Sequence, residues 1–107
     1  MNKVKTLKDN RPNNIYTLGD MDDGLYIHYS VANSITGNFL NRITFQRGIR
    51  NEQGCKNGVY EIDLLEIVMH RLECMQKVEN SSYNELALYN VMSALEYLYE
   101  KDDKDEN

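Results

Sequence analysis

The segment Leu25-Tyr-Ile-His-Tyr-Ser-Val31 decides the first half of the fold, because its apolar residues recur at every second position. Such alternation is typical of a β-strand with one buried face. The same period returns over Phe39–Gln46, after a loop rich in Asn, Ser and Gly. The two strands predict an antiparallel β-sheet over residues 14–47. Its apolar face is expected to contain Leu25, Ile27, Tyr29, Val31, Phe39, Ile43 and Phe45.

The second half of the chain changes to a helical period after a glycine-rich loop at residues 48–60. Apolar residues then recur at spacings of three and four, which is typical of amphipathic helices. The first helix is expected to pack through Leu64, Leu65, Val68, Leu72 and Met75, and the second through Leu88, Val91, Met92, Leu95 and Leu98. Ser82-Tyr-Asn-Glu85 fits a capping box at the start of the second helix. The pattern predicts a helical hairpin over residues 61–101 and an α+β fold.

The chain of 107 residues is expected to form one domain over residues 1–107. Residues 1–13 are expected to form a polar N-terminal arm, and residues 102–107 an acidic, frayed tail. A chain of this length buries a thin hydrophobic core, and association with further copies is a common remedy. We therefore expect an oligomer.

Composition argues against several classes of partner. The formal net charge is −5, and the sequence shows no basic face that would neutralise the phosphates of duplex nucleic acid. No apolar run approaches the ~18 residues that a membrane-spanning helix needs, and the polar N-terminus lacks the apolar segment of a signal peptide. Cys55 and Cys74 form neither a metal-binding nor a disulfide pattern. The sequence therefore predicts a cytoplasmic protein that binds neither duplex nucleic acid nor membranes.

Residues that could catalyse a reaction are few. His28 belongs to a predicted strand and His70 to a predicted helix, and the chain has neither a nucleophile elbow nor a phosphate-binding loop. Asp22 and Asp23 are typical of a hydrophilic turn, and Cys74 of a small packed residue. His70 stays open between a ligand contact and a residue on a helix flank. No enzymatic activity, metal or cofactor is predicted.

A series of short motifs follows in a fixed order: Ile43-Thr-Phe-Gln-Arg-Gly48, Asn57-Gly58, Leu64-Leu-Glu-Ile-Val-Met-His-Arg-Leu72, Asn84-Glu-Leu-Ala-Leu88 and Ala94-Leu95. In their order and spacing these motifs resemble the Thoeris anti-defence protein 1 family. The resemblance covers roughly residues 38–101, well over half of the chain. No single motif is specific, and their joint order carries the resemblance.

The resemblance implies a phage protein that works in the cytoplasm of the infected bacterial cell. Family members bind glycocyclic ADP-ribose, the messenger of Thoeris immunity, without degrading it. Some also bind the cyclic di- and trinucleotides of CBASS immunity at separate sites. They assemble as dimers or hexamers, with ligand pockets between subunits. By resemblance, this chain is expected to sequester a cyclic nucleotide signal as a homo-oligomer, with no cofactor.

The resemblance also implies ligand-binding positions in this sequence. Met75 falls near the place of a family aromatic residue that stacks on the base, and Asn84 matches an asparagine that opens the last helix. Lys101 stands where the family has an arginine. Arg50 matches a basic residue that follows the strand and would clamp a pyrophosphate. Arg47 is a further basic residue near this position.

These residues also have simpler structural interpretations. Met75 lies on the predicted apolar stripe and would then pack in the core. Asn84 would assist the helix cap, Arg50 would be solvated, and Lys101 would interact with the negative end of the helix dipole. A second functional hypothesis stays open as well. It is a small phage module that inhibits a host protein by direct docking through its tyrosines, of which the chain has eight.

Overall fold

The computed structural model describes residues 1–105 and has an α+β fold, as predicted. Four strands precede two helices, in the order β1 (Asn2–Lys3), β2 (Asn13–Leu18), β3 (His28–Asn33), β4 (Phe39–Thr44), α1 (Glu61–Val78) and α2 (Ser82–Asp105). The chain divides into two compact units. We call Met1–Val59 the sheet unit and the residues from Tyr60 onward the helical unit. The single domain predicted over residues 1–107 stays a prediction.

The sheet unit is a meander in the order β1-β2-β3-β4, in which every neighbouring pair is antiparallel. Strand β1 was not expected, since residues 1–13 were predicted to be an arm. Lys3 of β1 pairs with Tyr16 of β2, so that the segment contains an edge strand and the loop that returns to β2. A strand of two residues shows no alternation, and only its pairing with β2 identifies it.

One face of the sheet carries Tyr29, Val31, Ile43 and Phe45, as the alternation predicted. Strand β3 begins only at His28, and Leu25, which was expected on this face, precedes the strand and is 61% exposed. Tyr29 and Ile43 are opposite each other on β3 and β4, and the rings of Tyr29 and Phe45 make an edge-to-face contact with centroids 5.6 Å apart. Phe39 departs from this face. Val31 pairs with Asn41, but Ala32 pairs with Phe39 instead of Leu40, so the register shifts there. Such an irregularity reverses the alternation, and Phe39 is 62% exposed.

Ser30 lies in the centre of the sheet, between Tyr16 on β2 and Arg42 on β4. It is 2% exposed, and its hydroxyl oxygen has no hydrogen-bond partner within the described residues. A buried hydroxyl without a partner lowers the stability of the fold, because the folded state does not replace the hydrogen bonds to water that it loses.

The helical unit begins as expected and ends later than expected. The Tyr60 N–H donates to Asp63 Oδ2 at 2.8 Å, before the first residue of α1. Helix α2 continues to Asp105, past the predicted end at residue 101. Ion pairs one turn apart support this extension, with Lys101 Nζ 3.5 Å from Asp105 and Lys104 Nζ 3.1 Å from Glu100. The last part of the predicted acidic tail, residues 106–107, lies outside the described residues.

The two helices pack through a face of α1 that matches the predicted stripe only in part. Leu95 of α2 is buried at 3% exposure. Val68 and Met75, which were expected in the packed stripe, are 43% and 44% exposed. Three residues of that stripe, Leu64, Leu65 and Leu72, are half-buried as predicted. The half-buried series along α1 includes Ile62, Leu65, Met69, Leu72 and Gln76. This spacing of alternating three and four residues is also helical, but it is rotated by about one residue.

Tyr99 joins the two helices by a hydrogen bond in which its hydroxyl donates to Glu66 Oε1 at 3.3 Å. Desolvation of the phenol raises the pKa of Tyr99, and the nearby Glu66 carboxylate raises it further. The phenol therefore stays protonated as a donor to α1. No helix within residues 1–105 combines the length and the apolar character that crossing a membrane requires.

Candidate ligand site at the connection between the helices

A cavity of about 380 Å³ opens where the last turns of α1 meet the first turn of α2, which we call the hairpin cavity. Its volume lies within the range of small-molecule sites, about 300–1,000 Å³. The cavity brings together Met75 and Asn84, the two predicted site residues that come from different helices. The residues that line it are His70, Arg71, Cys74, Met75, Val78, Glu79 and Asn84.

Hydrogen bonds from Gln76 fix the short connection beneath this cavity. The Gln76 side-chain amide donates to Asn80 Oδ1 at 2.6 Å and accepts from the Ser81 N–H at 3.1 Å. The Ser81 hydroxyl in turn accepts the Asn84 N–H at 3.4 Å. Ser81 therefore caps α2, one residue before the cap predicted at Ser82. This chain of bonds sets the position of Asn84 relative to the end of α1.

The hairpin cavity combines an apolar wall with polar groups. Met75 is 44% exposed and Val78 is 88% exposed, so both side chains are available for contact. Asn84 is half-buried, and its side-chain amide makes no hydrogen bond within residues 1–105. It lies in the first turn of α2, where backbone N–H groups and the helix dipole favour anions. The cavity therefore suits a ligand that has both an apolar face and a polar, anionic part.

Charged groups at the cavity come from α1. Arg71 lies four residues before Met75, and its guanidinium makes no ion pair within the described residues. Glu79 adds one carboxylate. Sequence reasoning did not assign Arg71, although residues four apart are neighbours on a helix surface. Arg71, Met75 and Val78 are four and three residues apart, and this spacing would have placed them on the same face of the predicted helix.

His70 and Cys74 also line the cavity, and both are exposed. The Cys74 sulfur lies 3.9 Å from His70 Nε2, one helical turn away. The expectation that Cys74 is a packed residue was wrong, because the packed face of α1 is rotated away from it. Within residues 1–105 no group of three or more His, Cys, Asp or Glu side chains could hold a metal ion.

Lys101 lies in the same unit but outside the hairpin cavity. At the ~1.5 Å rise of an α-helix, it is roughly 26 Å along α2 from Asn84. Its ammonium group lies 3.5 Å from Asp105. A single copy of the chain therefore does not place Lys101 beside Asn84.

Arg47 and Arg50 belong to the sheet unit, and each already has a partner. The Arg47 guanidinium contacts Asp22 at 3.2 Å and Asp23 at 2.6 Å. Arg50 Nη2 donates to the Gly58 carbonyl oxygen at 2.7 Å. The charge of Arg47 is thus neutralised by the turn that precedes β3, a partner that lies far away in the sequence.

The Asn57-Gly58 motif organises the loop that carries Arg50. Asn57 exchanges hydrogen bonds with Asn51, accepting from its N–H at 3.1 Å and donating to its side chain at 3.0 Å. Gly58 donates its N–H to Gln46 Oε1 at 3.0 Å. A Cβ at Gly58 would come within 2.1 Å of the Thr44 carbonyl oxygen, so no other residue fits there. Two of the motifs behind the resemblance, those around Gln46 and Asn57, thus contain residues that stabilise this loop.

No protein-family model matches this chain, and no curated protein matches it.

Proposed function

We propose that this chain binds a cyclic nucleotide immune messenger of the glycocyclic ADP-ribose type and sequesters it without cleavage, as a phage anti-defence protein. The observation that supports this most is the hairpin cavity, which Met75 and Asn84 both line. The resemblance assigns these two residues to one ligand, and they come from different helices. The proposed site of action is the cytoplasm of the infected bacterial cell.

The adenine base would lie on the apolar wall of the hairpin cavity. Met75 offers a polarisable thioether to the base, with less area than an aromatic ring, and Val78 extends the wall. The Asn84 amide can donate and accept at once, which suits a ribose hydroxyl or a phosphate oxygen at the start of α2. Arg71 would contribute a charge-assisted hydrogen bond to the pyrophosphate.

We propose that further cations reach the ligand from another copy of the chain. Lys101 is too far along α2 to reach the hairpin cavity of its own chain, and the resemblance assigns Arg50 to the ligand as well. Within residues 1–105 the buried hydrophobic side chains are Ile27, Ala32 and Leu95, a thin core that association would enlarge. A dimer or hexamer is the proposed state. CBASS cyclic di- and trinucleotides are proposed as additional ligands.

Calorimetric titration with glycocyclic ADP-ribose, followed by recovery of the ligand after heating, tests this function. We expect stoichiometric binding and intact ligand. Asn84→Ala should weaken binding roughly five- to tenfold, the value of one hydrogen bond. Asn90→Ala is the matched control, since Asn90 lies on α2 outside the cavity and donates to Leu86; it should leave affinity unchanged. Equal affinities of the two variants would contradict the site, and turnover beyond one equivalent would contradict sequestration.

A protein-docking module is the second candidate, and the exposed tyrosines favour it. Tyr83 and Tyr97 of α2 are 84% and 74% exposed, and tyrosine is enriched among the residues that dominate interface energies. This function predicts a stoichiometric complex with a host protein that both Tyr→Ala substitutions weaken. It also predicts no thermal shift with any cyclic nucleotide, which separates it from the messenger hypothesis.

A further inference from the structure

A second cavity, of about 290 Å³, lies in the sheet unit at the loop between β1 and β2, and we call it the arm cavity. Lys3, Lys5, Lys8 and Arg11 all line it, while Asp9 is the single carboxylate on its wall. This concentration of positive charge occurs in a chain whose formal net charge is −5. The arm cavity is therefore opposite in sign to the molecule as a whole.

The loop around this cavity is fixed at both ends. At its start, the Val4 N–H donates to the Ile15 carbonyl at 2.8 Å. At its end, the Pro12 carbonyl accepts both the N–H and the hydroxyl of Ser34, each at 2.9 Å. Between them, Asn10 takes a left-handed conformation with φ of 55°, which bends the chain back on itself. The four cations are thus held around one space, and are not carried on a free arm.

No ion pair neutralises these cations within the described residues. Arg47, Lys101 and Lys104 each have a carboxylate within ion-pair distance, whereas the cations of the arm cavity have none. Four cations gathered around one carboxylate leave an excess of positive charge, and like charges repel one another. An anion that enters the cavity would remove this repulsion and gain several charge-assisted hydrogen bonds.

We propose that the arm cavity is a binding site for a linear oligophosphate, a chain of two or more phosphate groups, separate from the hairpin cavity. Several cations around one small space match several charges on one ligand better than they match a single anion. Thr6, Asn10 and Asn14 add neutral polar groups to the wall. A duplex does not fit, because the cations lie in a concave loop and not along an extended face.

Calorimetric titration with inorganic tripolyphosphate at low salt tests this site. The double variant Lys5→Gln/Lys8→Gln keeps most of both side-chain stems and should bind at least about tenfold more weakly, since each lysine supplies one charge-assisted hydrogen bond. The control Lys56→Gln/Lys104→Gln makes the same change in net charge away from the cavity and should bind as the unsubstituted protein does. Melting temperatures of both variants show whether they remain folded.

Three results would overturn the proposal. They are no binding of tripolyphosphate, equal losses in the two double variants, or orthophosphate binding as tightly as tripolyphosphate. A parallel titration with ATP distinguishes the source of the phosphates. Equal affinity for ATP and tripolyphosphate assigns recognition to the phosphate chain alone, and tighter ATP binding assigns a nucleoside polyphosphate. Asn84→Ala should leave tripolyphosphate binding unchanged, because Asn84 belongs to the hairpin cavity.

Discussion

The hairpin cavity and the arm cavity differ in the chemistry of their walls more than in their size. The hairpin cavity has an apolar wall, one arginine on α1 and one amide in the first turn of α2, so that it can recognise shape as well as charge. The arm cavity is surrounded by cations on a polar loop, so that it can recognise charge alone. The two proposed sites should therefore respond to different changes in side chain and solution.

Leu95→Ala should have the largest effect, because it disturbs the helical packing that supports the hairpin cavity. Leu95 is 3% exposed between the helices, and its truncation should lower the free energy of unfolding by about 3 kcal/mol. Urea unfolding followed by circular dichroism measures this loss. We expect messenger binding to weaken more than tripolyphosphate binding. Parallel loss of both would show that the two sites depend equally on the helical packing. Met92→Ala, at a site that is 38% exposed, should cost less.

Ionic strength should separate the two cavities without any substitution. The Debye length falls from ~30 Å at 0.01 M salt to ~3 Å at 1 M, so contacts made only between charges weaken most. Tripolyphosphate affinity should fall steeply with added sodium chloride, and messenger affinity should fall less, because part of it comes from apolar contact. Titrations at four salt concentrations give the two slopes. Equal slopes would mean that the hairpin cavity also binds through charge alone.

Met75→Phe should raise the affinity of the hairpin cavity for the base of the messenger. An aromatic ring at this position would add a stacking interaction with adenine, worth about 0.5–1.5 kcal/mol, or roughly three- to tenfold in affinity. Val68→Phe is the matched control, because Val68 is also exposed on α1 but does not line the cavity. Titration with glycocyclic ADP-ribose measures both. Unchanged or weaker binding of the Met75 variant would exclude a base from this wall.

Ser30→Ala should stabilise the sheet unit, which carries the arm cavity. The substitution removes a buried hydroxyl that has no partner, and the free energy of unfolding should rise by about 1 kcal/mol. Ser34→Ala, in contrast, removes a hydroxyl that donates a hydrogen bond to the Pro12 carbonyl. It should destabilise the loop between β1 and β2 and weaken tripolyphosphate binding. Urea unfolding and calorimetry measure the two effects. Destabilisation by Ser30→Ala would indicate that the hydroxyl has a partner in solution.

Tyr99→Phe should have the smallest effect, and it depends on pH. Folding raises the pKa of Tyr99. The stabilisation that its protonated phenol gives to the folded state is therefore fully present below the pKa of about 10 in the unfolded chain, and it is lost as the pH rises through the higher pKa in the folded chain. The unsubstituted protein should therefore lose stability above pH ~10 slightly faster than Tyr99→Phe. Tyr97→Phe serves as the control on the same helix. Identical alkaline profiles of all three proteins would contradict the hydrogen bond to Glu66.

Several features followed from the sequence because they depend on neighbouring residues. Alternation over residues 25–31 and the helical spacing after residue 60 sufficed for the α+β class. The same local patterns placed Asn84 at the start of α2 and Met75 near the end of α1. Residues close to a short connection are brought together by any helical hairpin, so that these two parts of the candidate site were predictable.

The remaining features needed the tertiary structure, because they depend on residues that are distant in sequence or on the rotation of an element. More than one stripe on α1 is apolar, and only packing against α2 decided that Met69 is half-buried while Met75 is exposed. Likewise, strand β1 depends on its pairing with β2, and the partner of Arg47 is a turn before β3. The arm cavity exists because hydrogen bonds to Ile15 and Ser34 close a loop. Local sequence determined which elements form, and contacts between distant residues decided which side chains meet.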